Sequence, residues 1–416
     1  MRIAYLTQSY PPMISGAAFS AQQIAEAMAG RGHQVLVIAA SDREHPYHTH
    51  KVNISILRLR SFNNPLRVNQ RLIAHPRRLT MEALRQFRPD VIHAHEPVQM
   101  GMLALEYTKR ASIPVTLTAH QLPWFIASYL PESLKPFVER TLWTVARRML
   151  GNYTSVIAPT QTISTIIKQM TGIQASVISY GLDLGAFHPP LSPDDATATR
   201  TRLNLPAYVP VLLHVGRLDT DKRVDKVIRA AVQPIRESEA HLLIVGDGCQ
   251  KNSLIRLCRK LGIEGRVHFA GYISPQDGLP EIYQACNVFV TASEIETQGI
   301  VLLEAAASGL PIVAVNATCI PEIVHDGVNG FLSGSTDRDG LSHAMSLLVR
   351  DGNKATQMGR TSRTLAERHE LRFTIDAHEQ LYRQLIQQER MERFTFLSLA
   401  PRRWWTRVTA WMSLIK

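Results

Sequence analysis

Residues 288–315 read Val288-Phe-Val-Thr-Ala-Ser-Glu-Ile-Glu-Thr-Gln-Gly-Ile-Val-Leu-Leu-Glu-Ala-Ala-Ala-Ser-Gly-Leu-Pro-Ile-Val-Ala-Val315. Two short apolar runs, Val288 to Thr291 and Ile312 to Val315, bracket a segment in which Gly299 permits a turn and Ile300 to Ala307 forms a helix. Strands apolar on both faces and separated by a helix belong to a parallel sheet covered on each side. The same rhythm extends upstream through Val211 to Val215, His241 to Val245 and Val267 to Phe269, with helices at Val224 to Ile235 and Asn252 to Leu261. It also fills the first half: Ile3 to Leu6, a helix from Ala18 to Ala29, then Val35 to Ile38, Val91 to His93, Val115 to Thr118 and Ser155 to Ala158. Leu184 to Leu205, with Pro189, Pro190 and Pro193, reads as a linker. The fold class is therefore α/β: two Rossmann-like doubly wound domains facing a central cleft, into which both send the loops at their strand C-termini. The expected divisions are 1–190, 191–372, a helix over 373–390 packing back toward the first domain, and a basic amphipathic tail over 391–416.

At 416 residues, 45% hydrophobic and 19% charged, the chain has apolar surface enough for two cores. Its net charge of +11 is unevenly placed. Residues 1–190 carry 19 Lys and Arg against 10 Asp and Glu, residues 191–390 carry 22 against 24, and the last 26 carry 5 against 1. Basic residues without aromatic stacking platforms or a DNA-reading motif argue against nucleic acid. An anionic membrane surface facing the first domain and the tail accounts better for the asymmetry. Cys249, Cys258, Cys286 and Cys319 lack any CxxC spacing and read as buried free thiols of a reducing compartment. With no signal-peptide pattern and no apolar run of about 20 residues, the expectation is a cytoplasmic protein, peripheral at the inner face of the cell membrane.

Glu296 and Glu304 stand eight positions apart across a loop-to-helix junction, Glu304 two turns into a helix whose N-terminus points at the cleft. Free N–H groups and the positive dipole end suit a phosphate, and a carboxylate accepts from vicinal sugar hydroxyls. Spacing alone leaves the two acids equally compatible with solvated surface charges. The segment resembles the signature of retaining GT-B glycosyltransferases of the family 4 type, in which two such Glu residues contact the donor sugar and the nucleotide ribose. His214-Val-Gly-Arg-Leu-Asp-Thr-Asp-Lys222 resembles that family's pyrophosphate clamp, Leu243 to Gly248 its Val-Gly-Asp-Gly turn, and Val267 to Tyr272 its Phe-x-Gly segment beside the base. Tyr180-Gly-Leu-Asp183 with Phe187 is similar to its hinge, and Ile320-Pro-Glu-Ile-Val with Asp326-Gly-Val-Asn-Gly330 completes the pattern.

The resemblance implies a nucleotide-diphosphate sugar held by Gly16, Arg217, Lys222, Gly246, Tyr272, Ile273, Glu296, Gly299, Ile300, Val301 and Glu304, with His120, Glu296, Arg217 and Lys222 nearest the reacting bond. Two cations can stabilise a departing diphosphate without an essential metal or other cofactor. Asp219-Thr-Asp221 has the spacing of a metal-binding pair, but between two cations it reads as a cap for the next helix. Gly16, after Pro11-Pro-Met-Ile-Ser, allows close backbone approach to phosphate. His120, ending a strand, is either structural or the family's sugar-contacting histidine. His93 and His95 share one strand face, and zinc would need further ligands that are not visible; His95 with Glu96 is read as acceptor-side. The implied chemistry is front-face substitution, the leaving phosphate taking the acceptor's proton.

Gln298, where many relatives have Phe, makes the segment similar to bacterial diacylglycerol glycosyltransferases. This points to glucose moved from UDP-glucose to a lipid such as diacylglycerol. GDP-mannose on a phosphoinositide or polyprenyl-linked glycan, a soluble acceptor, or an inactive membrane-binding scaffold are the competing readings. Leu134 to Leu150 sets Val138, Leu142, Val145 and Met149 on one helical face beside Lys135, Arg140, Arg147 and Arg148. A second basic helix holds Arg67, Arg71, Arg77, Arg78, Arg85 and Arg88. In the tail, Trp404, Val408, Trp411 and Ile415 share a face near Trp405, Arg402, Arg403, Arg407 and Lys416, which suits an anionic interface.

Overall fold

The computed structural model describes residues 1–13, 15–64, 71–124, 133–187, 191–337 and 339–399, with side chains as far as 392. Among the described residues the first half forms an eight-stranded sheet. Its spatial order is Ser176–Val177, Ser155–Ala158, Val115–Thr118, Val91–Ala94, Arg2–Leu6, Gln34–Ala40, Ile54–Leu59 and Tyr47–Lys51. All neighbours pair in parallel except the last two. The second half forms a six-stranded, wholly parallel sheet: Val267–Gly271, His241–Val245, Val211–Val215, Val288–Thr291, Ile312–Val315 and Gly330–Ser333.

Alternation along each strand feeds two cores per sheet. Ile3 and Tyr5 join Ile24, Met28 and Tyr382 on one side, while Ala4 and Leu6 join Leu84, Leu103 and Trp143 on the other. In the second sheet Leu213 and Leu243 pack with Leu302 and Leu303, and Leu212 and Ile244 with Val227 and Met345. Such buried aliphatic contacts are the main stabilising term of each lobe, at roughly 25 cal/mol per Å² of apolar surface removed from water.

Several elements differ from the sequence reading. Tyr47–Lys51, mostly exposed, is an antiparallel edge strand whose polar residues give no core signal. The linker is not plain coil: Leu184–Phe187 is a 3-10 turn and Pro193–Arg202 a helix, with the Ser192 hydroxyl accepting from Asp195 N–H. Pro189 and Pro190 lie outside the described residues. The helix expected over Val224 to Ile235 is two, Val224–Ala230 and Val232–Ser238. Arg71 is in the strand Arg71–Ile73 and bonds Ser61 and Asn63, so it does not belong with the Arg77–Phe87 helix; Arg67 lies outside the described residues.

The last helix starts at Leu371 and runs to Leu399, returning across the first lobe. Tyr382 is wholly buried there, its hydroxyl 2.7 Å from His93 Nδ1 and 3.3 Å from Tyr5 Oη. Arg31 adds ion pairs to Asp376 and Glu379. Where the chain recrosses, Leu182 N–H donates to His369 O at 2.8 Å and Leu371 N–H to Leu182 O at 2.9 Å.

The turns at the strand ends pack backbone on backbone. Gly246 has φ +142°, and a Cβ there would lie 1.8 Å from Gly216 O. Gly246→Ala therefore forces the two turns apart. We expect a loss of at least about 2 kcal/mol in stability, read by thermal or denaturant unfolding, whereas Gly262→Ala, with open space around it, should lose roughly 1 kcal/mol for its left-handed backbone alone.

Candidate active site

The Val211–Val215 and Val288–Thr291 strands are parallel neighbours, with Leu212 opposite Val288, so the loops at their C-terminal ends share one edge of the sheet. The first loop carries Arg217 and Lys222; the second carries Glu296. Lys222 Nζ sits 2.5 Å from Glu296 Oε1, with both side chains mostly enclosed. His214 lies beneath them, its Nδ1 2.9 Å from Val290 O. Burial is the main force pushing its pKa down to about 4, so it is neutral.

Arg217 grips both Asp219 and Asp221, the latter at 2.9 Å. This corrects the capping expectation. Asp219 opens the Thr220–Lys222 turn without a side-chain cap bond, and Asp221 is buried against the guanidinium. Cys249, expected to be buried, is exposed next to Asp219, its Sγ 3.4 Å from Asp219 Oδ1; Cys258, Cys286 and Cys319 are buried as read.

The helix after the acidic loop spans Ile300–Ala307, with Gly299 before it at φ +76°. Glu304 is thus one turn into the helix rather than two, and it is buried, not a solvated charge. Tyr283 Oη donates to Glu304 Oε2 at 2.7 Å and also reaches Val301 O at 3.4 Å. Desolvation raises the Glu304 pKa to about 7 against the opposing pull of that hydroxyl. Tyr272, half exposed, feels the Glu304 charge, and Ile273 packs on the same core. Gly16 begins the Gly16–Gly30 helix of the first lobe, and a Cβ on it would come 3.3 Å from Ile300 Cδ1. The two helix N-termini therefore face each other across the cleft.

Three further contacts tie the lobes together. Thr160 Oγ1 donates to Thr297 O at 3.1 Å. Glu322 accepts from Gln161 N–H at 3.0 Å and Thr162 N–H at 2.6 Å, so a carboxylate of one lobe caps a helix of the other. Gln298, fully buried, accepts from Tyr180 N–H at 2.7 Å and donates to Ser179 Oγ.

On the first lobe His93 and His95 do share a face, their rings 4.4 Å apart. His93 belongs to the core, bonded to Tyr382 and Thr118. His95 Nδ1 lies 2.8 Å from His120 Nε2, and His120 Nδ1 lies 2.9 Å from Tyr180 Oη. Both His120 nitrogens are thus engaged within the protein, and burial pushes its pKa to about 3. Glu96 has an enclosed Oε1 without a hydrogen-bond partner, and burial raises its pKa to about 8 despite the Gln8 backbone and Thr7. Tyr283 and Gln298 emerge as site-organising residues. Tyr283 carries no signal in an apolar helical stretch, whereas Gln298 stood out in the sequence for its neighbours.

On the Lys135–Leu150 helix Val138, Leu142 and Met149 are half-buried, so the expected apolar face turns mainly inward. The outward face instead presents Phe137 and Val145, next to Leu134 just before the helix, with exposed Arg140, Arg147 and Arg148. The tail residues Arg402, Arg403, Trp404, Trp405, Arg407 and Trp411 lie outside the described residues. Among the described residues no helix is long and apolar enough to cross a membrane.

Comparison with known proteins matches this geometry. Residues 14–185 match the family described as Glycosyltransferase Family 4, and residues 195–365 that described as Glycosyl transferases group 1. An alpha-monoglucosyldiacylglycerol synthase of Streptococcus pneumoniae is 25% identical over 86% of this chain and 80% of its own. A D-inositol 3-phosphate glycosyltransferase of Mycolicibacterium paratuberculosis is 30% identical over 73% of this chain and 69% of its own. The crystal structure of Anabaena HepE with UDP-glucose superposes with a TM-score of 0.73, covering 91% of this chain and 98% of that one at 24% identity.

Glu304 yields a pH test. Its folded pKa lies above the ordinary carboxylate value, so its burial stabilises least above pH 7 and the fold retains its proton below that. A ligand hydroxyl that donates to Glu304 favours the carboxylate. Binding of a uridine or guanosine diphosphate sugar near pH 6 should therefore release most of one proton, seen by calorimetry in buffers of different ionisation enthalpy. Glu304→Gln should abolish the release.

Proposed function

The chain belongs to the GT-B glycosyltransferases of the family 4 and group 1 type, and from that premise we propose that it transfers glucose from UDP-glucose to a membrane lipid such as diacylglycerol, with retention. The observation that carries the reading is the Lys222–Glu296 pair on the loop leading into the Ile300 helix, whose start meets Gly16 of the first lobe. A donor laid there exchanges the internal ion pair for its own charges: Lys222 and Arg217 take the diphosphate, and Glu296 turns to the hydroxyls of the sugar. Glu304, positioned by Tyr283, takes the ribose diol. Gly299 and Val301 present the helix N-terminus, Gly246 keeps the neighbouring turn close, and Tyr272 with Ile273 borders the base.

No carboxylate in this reading lies under the anomeric carbon as a nucleophile. Negative charge growing on the leaving phosphate is met by two cations, with no essential metal, and the same phosphate collects the acceptor's proton. Glu296→Ala accordingly loses sugar positioning.

The lipid acceptor rests on two supports. Two relatives covering most of the chain are named alpha-monoglucosyldiacylglycerol synthases, and the exposed face of the Lys135–Leu150 helix joins apolar and basic side chains as an interfacial helix does. His95 and Glu96 are the groups proposed to face the acceptor. A GDP-mannose-dependent reading draws on the relative named for that donor, at 29% identity.

The test is a panel of radiolabelled UDP- and GDP-sugars incubated with the full chain and liposomes containing diacylglycerol, in neutral or anionic lipid. We expect label from UDP-glucose in the lipid extract; label only from GDP-mannose would transfer the assignment to the second reading. Arg147→Glu with Arg148→Glu should lower vesicle binding by at least about tenfold, at roughly 1 kcal/mol per cation near an anionic surface, while donor hydrolysis persists.

A further inference from the structure

Four side chains from four segments form one line between the lobes, buried at His95, His120 and Tyr180 and half-buried at Thr297. His95 Nδ1 and His120 Nε2 are 2.8 Å apart, His120 Nδ1 and Tyr180 Oη 2.9 Å, and Tyr180 Oη and Thr297 Oγ1 3.4 Å. The rings stack as well, at 5.1 Å for His95 with His120 and 5.1 Å for His120 with Tyr180. Burial keeps both imidazoles neutral, so each carries a single N–H.

Only two polarities satisfy every link. In one, Tyr180 donates to His120 Nδ1, His120 donates from Nε2 to His95 Nδ1, and His95 carries its proton on Nε2. In the other, His95 donates from Nδ1, His120 donates from Nδ1 to the Tyr180 oxygen, and Tyr180 turns its proton toward Thr297.

The far end decides between them. His95 Nε2 is enclosed and has no partner among the described residues. The first polarity leaves an N–H there without an acceptor; the second leaves a bare lone pair, the less costly kind of orphan. Two other histidines calibrate the choice. His214 Nδ1 faces Val290 O at 2.9 Å and His378 Nδ1 faces Thr374 O at 2.8 Å. A carbonyl only accepts, so both rings are protonated on Nδ1, and both leave Nε2 buried and unpartnered. This protein therefore tolerates a bare, buried Nε2 at two other places.

We propose that Tyr180 is a positioning residue whose hydroxyl, accepting from His120 and donating to Thr297, locks His120 and His95 as Nδ1–H tautomers. Because Thr297 adjoins Glu296, and because Gln298 holds the Tyr180 backbone, the donor loop of one lobe sets the hydrogen-bonding sense of the imidazoles of the other. His95 Nε2 then keeps its lone pair inside the seam, within reach of an acceptor hydroxyl only once the lobes part; that step rests on the acceptor-side reading of His95, and the tautomer assignment does not.

The test is imidazole ¹⁵N spectroscopy on the full chain labelled at histidine. Wild type should show protonated Nδ1 at both His95 and His120. Tyr180→Phe keeps the stacked ring but removes the oxygen, and Thr297→Val keeps the phenol but removes its outlet; in each, either sense leaves one buried donor without an acceptor, so the bias is lost and both rings should show mixed Nδ1 and Nε2 protonation. Protonated Nε2 at His120 in wild type would overturn the proposal, and so would unchanged tautomers in a folded variant. Should neither variant fold, the wild-type spectrum decides alone. In turnover, Tyr180→Phe should lower kcat roughly tenfold with donor KM within about twofold, and an unchanged kcat alongside mixed tautomers would sink the positioning role. If no sugar donor supports turnover, the function proposed above fails while the spectra still decide this inference.

Discussion

The parallel pairing of Val211–Val215 with Val288–Thr291 is the constraint on which the site depends. It sets two loops of opposite charge side by side, and Lys222 meets Glu296 as a result. An ion pair drawn out of water needs close geometry and further partners to hold. Here a neutral histidine lies beneath it and Thr318 Oγ1 accepts from the Glu296 backbone. Arg217 is satisfied in the same way by two aspartates. The loops therefore keep their shape through internal pairing, in the places where a ligand of matching charge can exchange with it.

Much of this was readable from residue order. Runs such as Val211 to Val215 and Ile312 to Val315 are apolar on both faces, which only a covered parallel sheet accommodates. Gly299 announced the turn before the helix, and the spacing of Glu296 and Glu304 singled out the acids. Elements lacking a core face escaped: Tyr47–Lys51 is an edge strand of polar residues, and the proline-marked linker holds a helix because Ser192 caps it. The partners of the acids escaped too. Tyr283 reads as ordinary core until the Leu279–Gln284 and Ile300–Ala307 helices are placed together. Likewise, Asp219 and Asp221 look like caps in one dimension and prove to be the counterions of Arg217 in three.

Interlobe contacts follow a different logic from the cores. Those at the acidic loop and beside it are hydrogen bonds between polar groups, Thr160 to Thr297, Glu322 to two N–H groups at the helix start at Gln161, and Gln298 to Tyr180 and Ser179. A neutral bond of this kind contributes about 1 kcal/mol net and one to a carboxylate about 1.5–3, far below the apolar burial inside either lobe. The cleft is thus the weakest seam of the molecule, and the acidic loop takes part in most of what closes it.

The return of the chain across the first lobe bears on how that seam can part. Leu182, leaving the first lobe, is hydrogen-bonded to His369 and Leu371, arriving from the second, and Gly181 lies so near Thr374 that a Cβ there would come within 2.6 Å of its hydroxyl. Both connections thus run together as one double strap, clamped beyond by Tyr382. A single tether would let the halves swivel about any direction; a doubled one behaves like a door hinge, leaving chiefly a rocking motion about one axis. Closure about that axis brings the same two faces back into register, without a search through orientations.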